Sequence, residues 1–200
     1  MKNNATVDRI QAVWNLAGGE RGVDDLIAGE AEFVLKKFLE PGEEFSLTPW
    51  VGQAKAAEKF AEATDPESEI SFSCSERFRD VFLGPDCEIG VSLGVSDFIV
   101  QHHEVVTGYC FDKSVFRRLG EPKKIGFELN SLYAMVKQQG CGKPGHLLTD
   151  GRHNVFYVMD QWGEVWTVMV SWNSVSWSMQ ADCIGARRLI RGTRVFAKKP

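Results

Sequence analysis

The chain has 200 residues, 44% hydrophobic and 25% charged, enough for one domain with a real core or for a domain plus a small appendage. That composition excludes disordered and collagen-like classes, and no apolar run approaches the roughly 18 residues a membrane span needs. The net charge of −4 hides an asymmetry: six of the 23 Lys and Arg and none of the 27 Asp and Glu fall in 186–200, leaving the rest of the chain 10 charges negative, so the body would repel nucleic acid and only the tail could attract it.

The five cysteines (Cys74, Cys87, Cys110, Cys141 and Cys183) form no CxxC pair, which fits reduced thiols in a cytosolic protein. Asp8 and Arg9 stand where a signal peptide would carry its apolar run. A cytoplasmic location is therefore expected, with no membrane partner.

In chain order, Val7, Ile10, Val13 and Trp14 form one apolar stripe and predict a helix, capped by Thr6 and ended by Gly18-Gly19. A second helical turn follows and stops at Gly29. Residues 31–39 read as a strand, Pro41-Gly42 as a turn and 43–47 as its hairpin partner. The alanine-rich 52–65 favours helix. In 69–75, Ile70, Phe72 and Cys74 alternate with polar residues, the mark of a half-buried strand. Residues 76–84 suit a short helix. Residues 87–111 are β-rich and interrupted by Gly90 and Gly94. A helix over 127–140 would bury Leu129, Leu132, Tyr133 and Val136 and stop at Gly140. Three strands are predicted at 154–159, 164–172 and 175–182, then a last one at 193–199.

The 153–182 stretch holds four of the six tryptophans. In its third strand Val175, Trp177, Met179 and Ala181 alternate with polar residues, as in an antiparallel strand with one wet face. The middle strand is apolar on both faces, as in a strand covered on both sides. The pattern is that of a meander packed on the 127–140 helix. Its sharper alternative is a stacking surface made of Trp166 and Trp172, but such platforms sit in basic grooves, and 154–182 contains no Lys or Arg.

Chemistry has only thin candidates. His102 and Glu104 would share one strand face and could act as a base with its orienter. Cys110 or Cys141 could serve as a thiol nucleophile with a histidine as base, though neither sits in a predicted strand-to-helix elbow or at a predicted helix N-terminus. Cys141, His146 and His153 are zinc-type ligands at a spacing that fits no standard finger. No phosphate-binding glycine loop is present, and no cofactor is implied. The tail cations, among them Arg187, Arg188, Arg191 and Arg194, could contact phosphates with strong salt dependence; their bland alternative is the charged edge of an edge strand.

The segments SLYAMVKQQGCGKPGHLLTDGRHNVFYV and GTRVFAKK resemble a family of uncharacterised small proteins predicted from genomes of uncultured bacteria. The likeness rests on Lys137-Gln138, the glycine loop Gly142 to Gly145, the Leu147 to Gly151 turn, the Asn154 to Val158 strand and Arg194 to Phe196. IQAVWNLAGGERGVDDLIAGEAEFV resembles an N-terminal module found in such proteins ahead of different C-terminal parts. Together the two cover about 7–35 and 128–197. The resemblance implies a portable N-terminal element suited to docking or assembly, and supplies no activity, cofactor or catalytic residue.

These readings predict an α+β protein: a small helical and hairpin module over 1–65 beside a mainly antiparallel domain over 66–200, with its C-terminal meander on one helix. The leading functional expectation is a non-enzymatic protein-interaction or assembly module with Trp166 and Trp172 as anchors. The alternatives are a nucleic-acid-associated protein using 186–200 and a small cysteine/histidine hydrolase or transferase.

Overall fold

The computed structural model describes residues 38–52, 54–60, 70–89, 96–106 and 108–199. The expected N-terminal helices, most of the 31–39 strand and the 65/66 boundary lie outside the described residues. The described residues form twelve strands, β1 (Leu39–Leu47), β2 (Ala54–Lys55), β3 (Phe72–Cys74), β4 (Glu88–Ile89), β5 (Phe98–Val105), β6 (Tyr109–Phe111), β7 (Phe127–Glu128), β8 (Asn154–Met159), β9 (Val165–Trp172), β10 (Trp177–Cys183), β11 (Arg188–Ile190) and β12 (Arg194–Lys198). They also form five helices, α1 (Ala56–Lys59), α2 (Glu76–Phe82), α3 (Asp112–Leu119), α4 (Pro122–Ile125) and α5 (Leu129–Gln139).

Eight strands make one mostly antiparallel sheet in the order β1-β5-β12-β8-β9-β10-β3, with β7 also on β8. The β8-β9-β10 meander is antiparallel throughout. Three contacts are parallel: β12 on β8, β7 on β8 and β3 on β10. Mixed α and β content with a large, mainly antiparallel sheet is thus as the alternation predicts.

Period-two alternation assigns the sheet two cores. Phe156, Val158, Val168, Val170, Trp177, Met179 and Phe196 face the main core with Leu132, Tyr133 and Val136 of α5 and Phe78 of α2. Val155, Tyr157, Met169, Val195 and Ala197 face a second core with Val115 of α3, Ile125 of α4, Cys110 and Leu189. Because both faces are covered, β8 is buried from Asn154 to Val158. The middle strand β9 carries apolar residues on both faces, as its sequence suggests.

Three differences have clear causes. The turn expected at Pro41-Gly42 is a bulge inside β1, whose register against β5 shifts between Pro41 and Glu44; an extra residue is absorbed without ending the strand. The last strand is no edge: β12 lies between β5 and β8, since Val195, Phe196 and Ala197 bury apolar surface on both faces. Helices α3 and α4 have no counterpart among the expected elements: Val115, Phe116 and Leu119 do stand at helical spacing, but each helix is short and the Gly120 to Pro122 break divides them.

Candidate functional site

Three of the four tryptophans of 153–182 pack into or against the core, and Trp162 does not. Trp177 is fully buried, and its Nε1–H donates to the Gly140 carbonyl at 2.6 Å, beside the end of α5. Trp172 is half-buried, its ring 5.3 Å from that of Trp177. It lies against Gly142, where φ is +67° and a Cβ would come within 2.3 Å of the indole, so only glycine fits. Trp166 is half-buried on the main core and donates its Nε1–H to Asp160 Oδ2 at 2.9 Å. The other oxygen of Asp160 accepts from the Trp162 and Glu164 amides, closing the β8-β9 turn. Trp162, at that turn, is 70% exposed.

The histidines do not assemble with a cysteine. His102 and Glu104 do share the β5 face, as alternation requires. The buried His102 accepts the Glu43 amide at Nε2 over 3.2 Å, and its ring lies under Gly42, where a Cβ would come within 1.9 Å. Burial and the charge of Arg194 hold its pKa below the usual histidine value, against the pull of Glu43. Glu104 lies 3.8 Å from Arg152. Cys110 is buried on β6, and burial with the nearby Asp112 pushes its thiol up to about 11. A thiol protonated at neutral pH is a poor nucleophile.

Cys141 is exposed just after α5. His146 stacks on Phe45, with centroids 3.7 Å apart, and its Nδ1 lies 3.6 Å from Glu43 Oε2. His153 has a buried Nδ1 with no hydrogen-bond partner, and burial with the Arg187 charge lowers its pKa. Among the described residues, no three His, Cys, Asp or Glu side chains form a group that could hold a metal ion.

The tail cations diverge. Arg187 Nε lies 2.6 Å from Asp182 Oδ2, a carboxylate that Arg77 also approaches. Arg194 donates Nη1–H to the His146 carbonyl at 2.7 Å. Lys198 lies over the Phe98 ring at 4.6 Å, and Lys199 pairs with Glu44 at 2.7 Å. Only Arg188 and Arg191 remain with the β11 segment and its turn.

There the chain builds a surface the sequence reading missed. Strands β6 and β11 pair as a two-stranded antiparallel ribbon, Arg188 opposite Phe111, Leu189 opposite Cys110 and Ile190 opposite Tyr109. Cys110 and Leu189 point into the second core. By alternation the other residues point outward, and Tyr109, Phe111 and Ile190 are 39%, 40% and 57% exposed. The Arg188 guanidinium lies 4.8 Å from the Tyr109 ring centroid and 5.9 Å from that of Phe111. The Tyr109 and Phe111 rings meet edge to face at 5.7 Å. The signal was present as YCF and RLI, each alternating about one apolar residue, but three-residue strands are too short to stand out.

The ribbon is fastened by Asp112, the first residue of α3, which is 1% exposed. Its carboxylate accepts the Tyr157 hydroxyl at 2.8 Å, the Thr167 hydroxyl at 3.3 Å and the Gly185 amide. A buried charge needs such donors. Burial and this neighbouring carboxylate hold the Tyr157 phenol well above its usual pKa.

No family model, curated protein or solved structure matches the chain. The resemblance set out above therefore rests on its quoted residues alone. No helix among the described residues is long and apolar enough to cross a membrane.

Proposed function

We propose that the protein is a non-enzymatic protein-interaction module whose working surface is the outward face of the β6-β11 ribbon. The observation that carries the reading is the cluster Tyr109, Phe111, Ile190 and Arg188, solvent-facing on a strand pair whose inner face is fixed in the second core. Aromatic and arginine side chains dominate interface hot spots, and a contiguous exposed apolar patch marks an interaction site more often than a scattered apolar residue does. A backing held by Asp112 keeps the entropy of ordering the surface low. This reading moves the anchors from Trp166 and Trp172, which are half-buried and hydrogen-bonded or packed on the core, to the ribbon.

The partner's chemistry follows from charge. Of the cations in 108–119 and 184–194, Arg187 and Arg194 are engaged elsewhere and Arg118 lies toward the β1-β5-β12 face; Lys113, Arg117, Arg188 and Arg191 pair with no carboxylate of the described residues, and the one acid of these segments, Asp112, is buried. The surface fits an acidic segment of another protein that carries an apolar or aromatic side chain, its carboxylate meeting Arg188 and its apolar group meeting Phe111 and Ile190. Like-charge contacts would select against basic partners.

Selection of displayed random peptides on the intact protein tests the reading. Acidic peptides bearing an aromatic or large apolar residue should be enriched. Phe111→Ala or Arg188→Ala should weaken them by about tenfold or more, a hot-spot cost of about 1–2 kcal/mol. Enriched peptides that bind both variants as well as the wild type would contradict it. The runner-up, a nucleic-acid-associated protein, draws on the same cations with Tyr109 and Phe111 as stacking groups. It would replace the first reading if a single-stranded oligonucleotide bound with a steep salt dependence while acidic peptides did not bind.

A further inference from the structure

On the second face of the sheet, away from the ribbon, β1, β5, β12 and the end of α3 line an open pocket of about 300 Å³. His103 lines it from β5, where it is flanked in register by Pro41 and Val195. The His103 side chain is buried, 7% exposed, and no hydrogen bond from a described residue reaches its ring. Arg118 lines the cavity from α3 and pairs with no carboxylate of the described residues. Lys199, at the same cavity, is engaged by Glu44 at 2.7 Å. Lys198 turns its ammonium over the Phe98 and Phe127 rings, which belong to the main core. Leu119 and Ala197 supply apolar wall.

The His103 ring nitrogens are not sealed off from the pocket, and a neutral ring offers one N–H donor and one acceptor to whatever fills it. The Arg118 guanidinium beside it offers a planar fork of donors with a full positive charge. A cationic ligand would be repelled, and an apolar one would leave both groups unsatisfied. An oxyanion can accept from both. The cavity is roomier than a bare phosphate needs and falls at the small end of ligand pockets, roughly 300–1,000 Å³.

We propose that this cavity binds a small organic oxyanion, a carboxylate or a phosphate ester, with the Arg118 guanidinium as charge partner and the His103 ring N–H as second donor. The proposal is independent of the ribbon, whose residues do not line the cavity.

The test adds inorganic phosphate, and separately acetate, to the intact protein at ionic strength held constant with sodium chloride, while the His103 Cε1–H resonance is followed. The charged and titratable groups facing His103 are His102 on β5, Arg118 on α3, Glu44 on β1 and Lys199 on β12. At least one anion should give a saturable shift in the millimolar range. The bound anion should raise the His103 titration by about half a pH unit or more, because nearby negative charge favours the imidazolium. Arg118→Gln, at an exposed position, should weaken binding by about tenfold, while Lys113→Gln, on the same helix outside the cavity, should change it by less than about twofold. Saturation by phosphate alone would assign a phosphate ester, and by acetate alone a carboxylate. Shifts that never saturate, or equal effects of the two substitutions, would overturn the proposal and leave only a general positive field.

Discussion

Two neighbouring residues, Asp112 and Phe111, divide structural from functional work. Asp112 takes donors from β8, β9 and the β10-β11 turn, so Asp112→Ala leaves a buried phenol and a backbone amide without acceptors. The expected loss is about 3 kcal/mol, read as a lower urea midpoint with an unchanged slope. Phe111→Ala, one position earlier on the exposed side of the ribbon, should change stability by less than about 0.5 kcal/mol. His103 adds a pH dependence. Burial, reinforced by His102 and Arg118 against Glu44, depresses its pKa to about 4. The unfolded chain, with a histidine pKa near the usual value of about 6.5, binds more protons in this window, so stability falls as pH falls. Between about pH 6.5 and 4 the His103 contribution should drop by up to about 3 kcal/mol in chloride buffer. His103→Gln should flatten that slope by one proton, which urea unfolding at a series of pH values would measure.

Alternation made the meander and α5 legible from local pattern alone: Trp177, Met179 and Ala181 do face one core, and Gly140 does end the helix. Pairing across the chain was not legible. Nothing in RVFAK says that it enters between β5 and β8, because the partners come from distant segments and a three-residue apolar run suits an edge or a centre equally. The basic residues around it suggested an edge, yet their charges leave the sheet at its ends or lie over aromatic rings. Deleting 194–200 should therefore break the sheet and unfold the protein, visible as loss of dispersed amide resonances. Retention of a native spectrum would contradict the central position of β12. A role for the tail cations is better tested by charge substitution than by truncation. Of the proposed site, YCF and RLI were visible only as short strings. Their meeting depends on the turn at Gly185 and on Asp112, which local pattern does not reveal.

At the scale of the molecule, covering both faces of the sheet spends most of the aromatic residues on two cores and leaves few for recognition. Among the described residues the exposed large apolar side chains Val51, Ile99, Trp162, Val175 and Ile184 lie outside the ribbon, whereas Tyr109, Phe111 and Ile190 share one ribbon face beside Arg188. The chain's negative body and the positive surroundings of that ribbon would orient an acidic partner before contact. The most direct test maps where a selected acidic peptide binds by two-dimensional amide and indole resonances of the intact protein. Perturbations concentrated at 109–111 and 188–190, with the Trp166 and Trp172 indoles unmoved, are the predicted result. Movement of those two indoles with the ribbon unchanged would contradict the account and return the working surface to the meander.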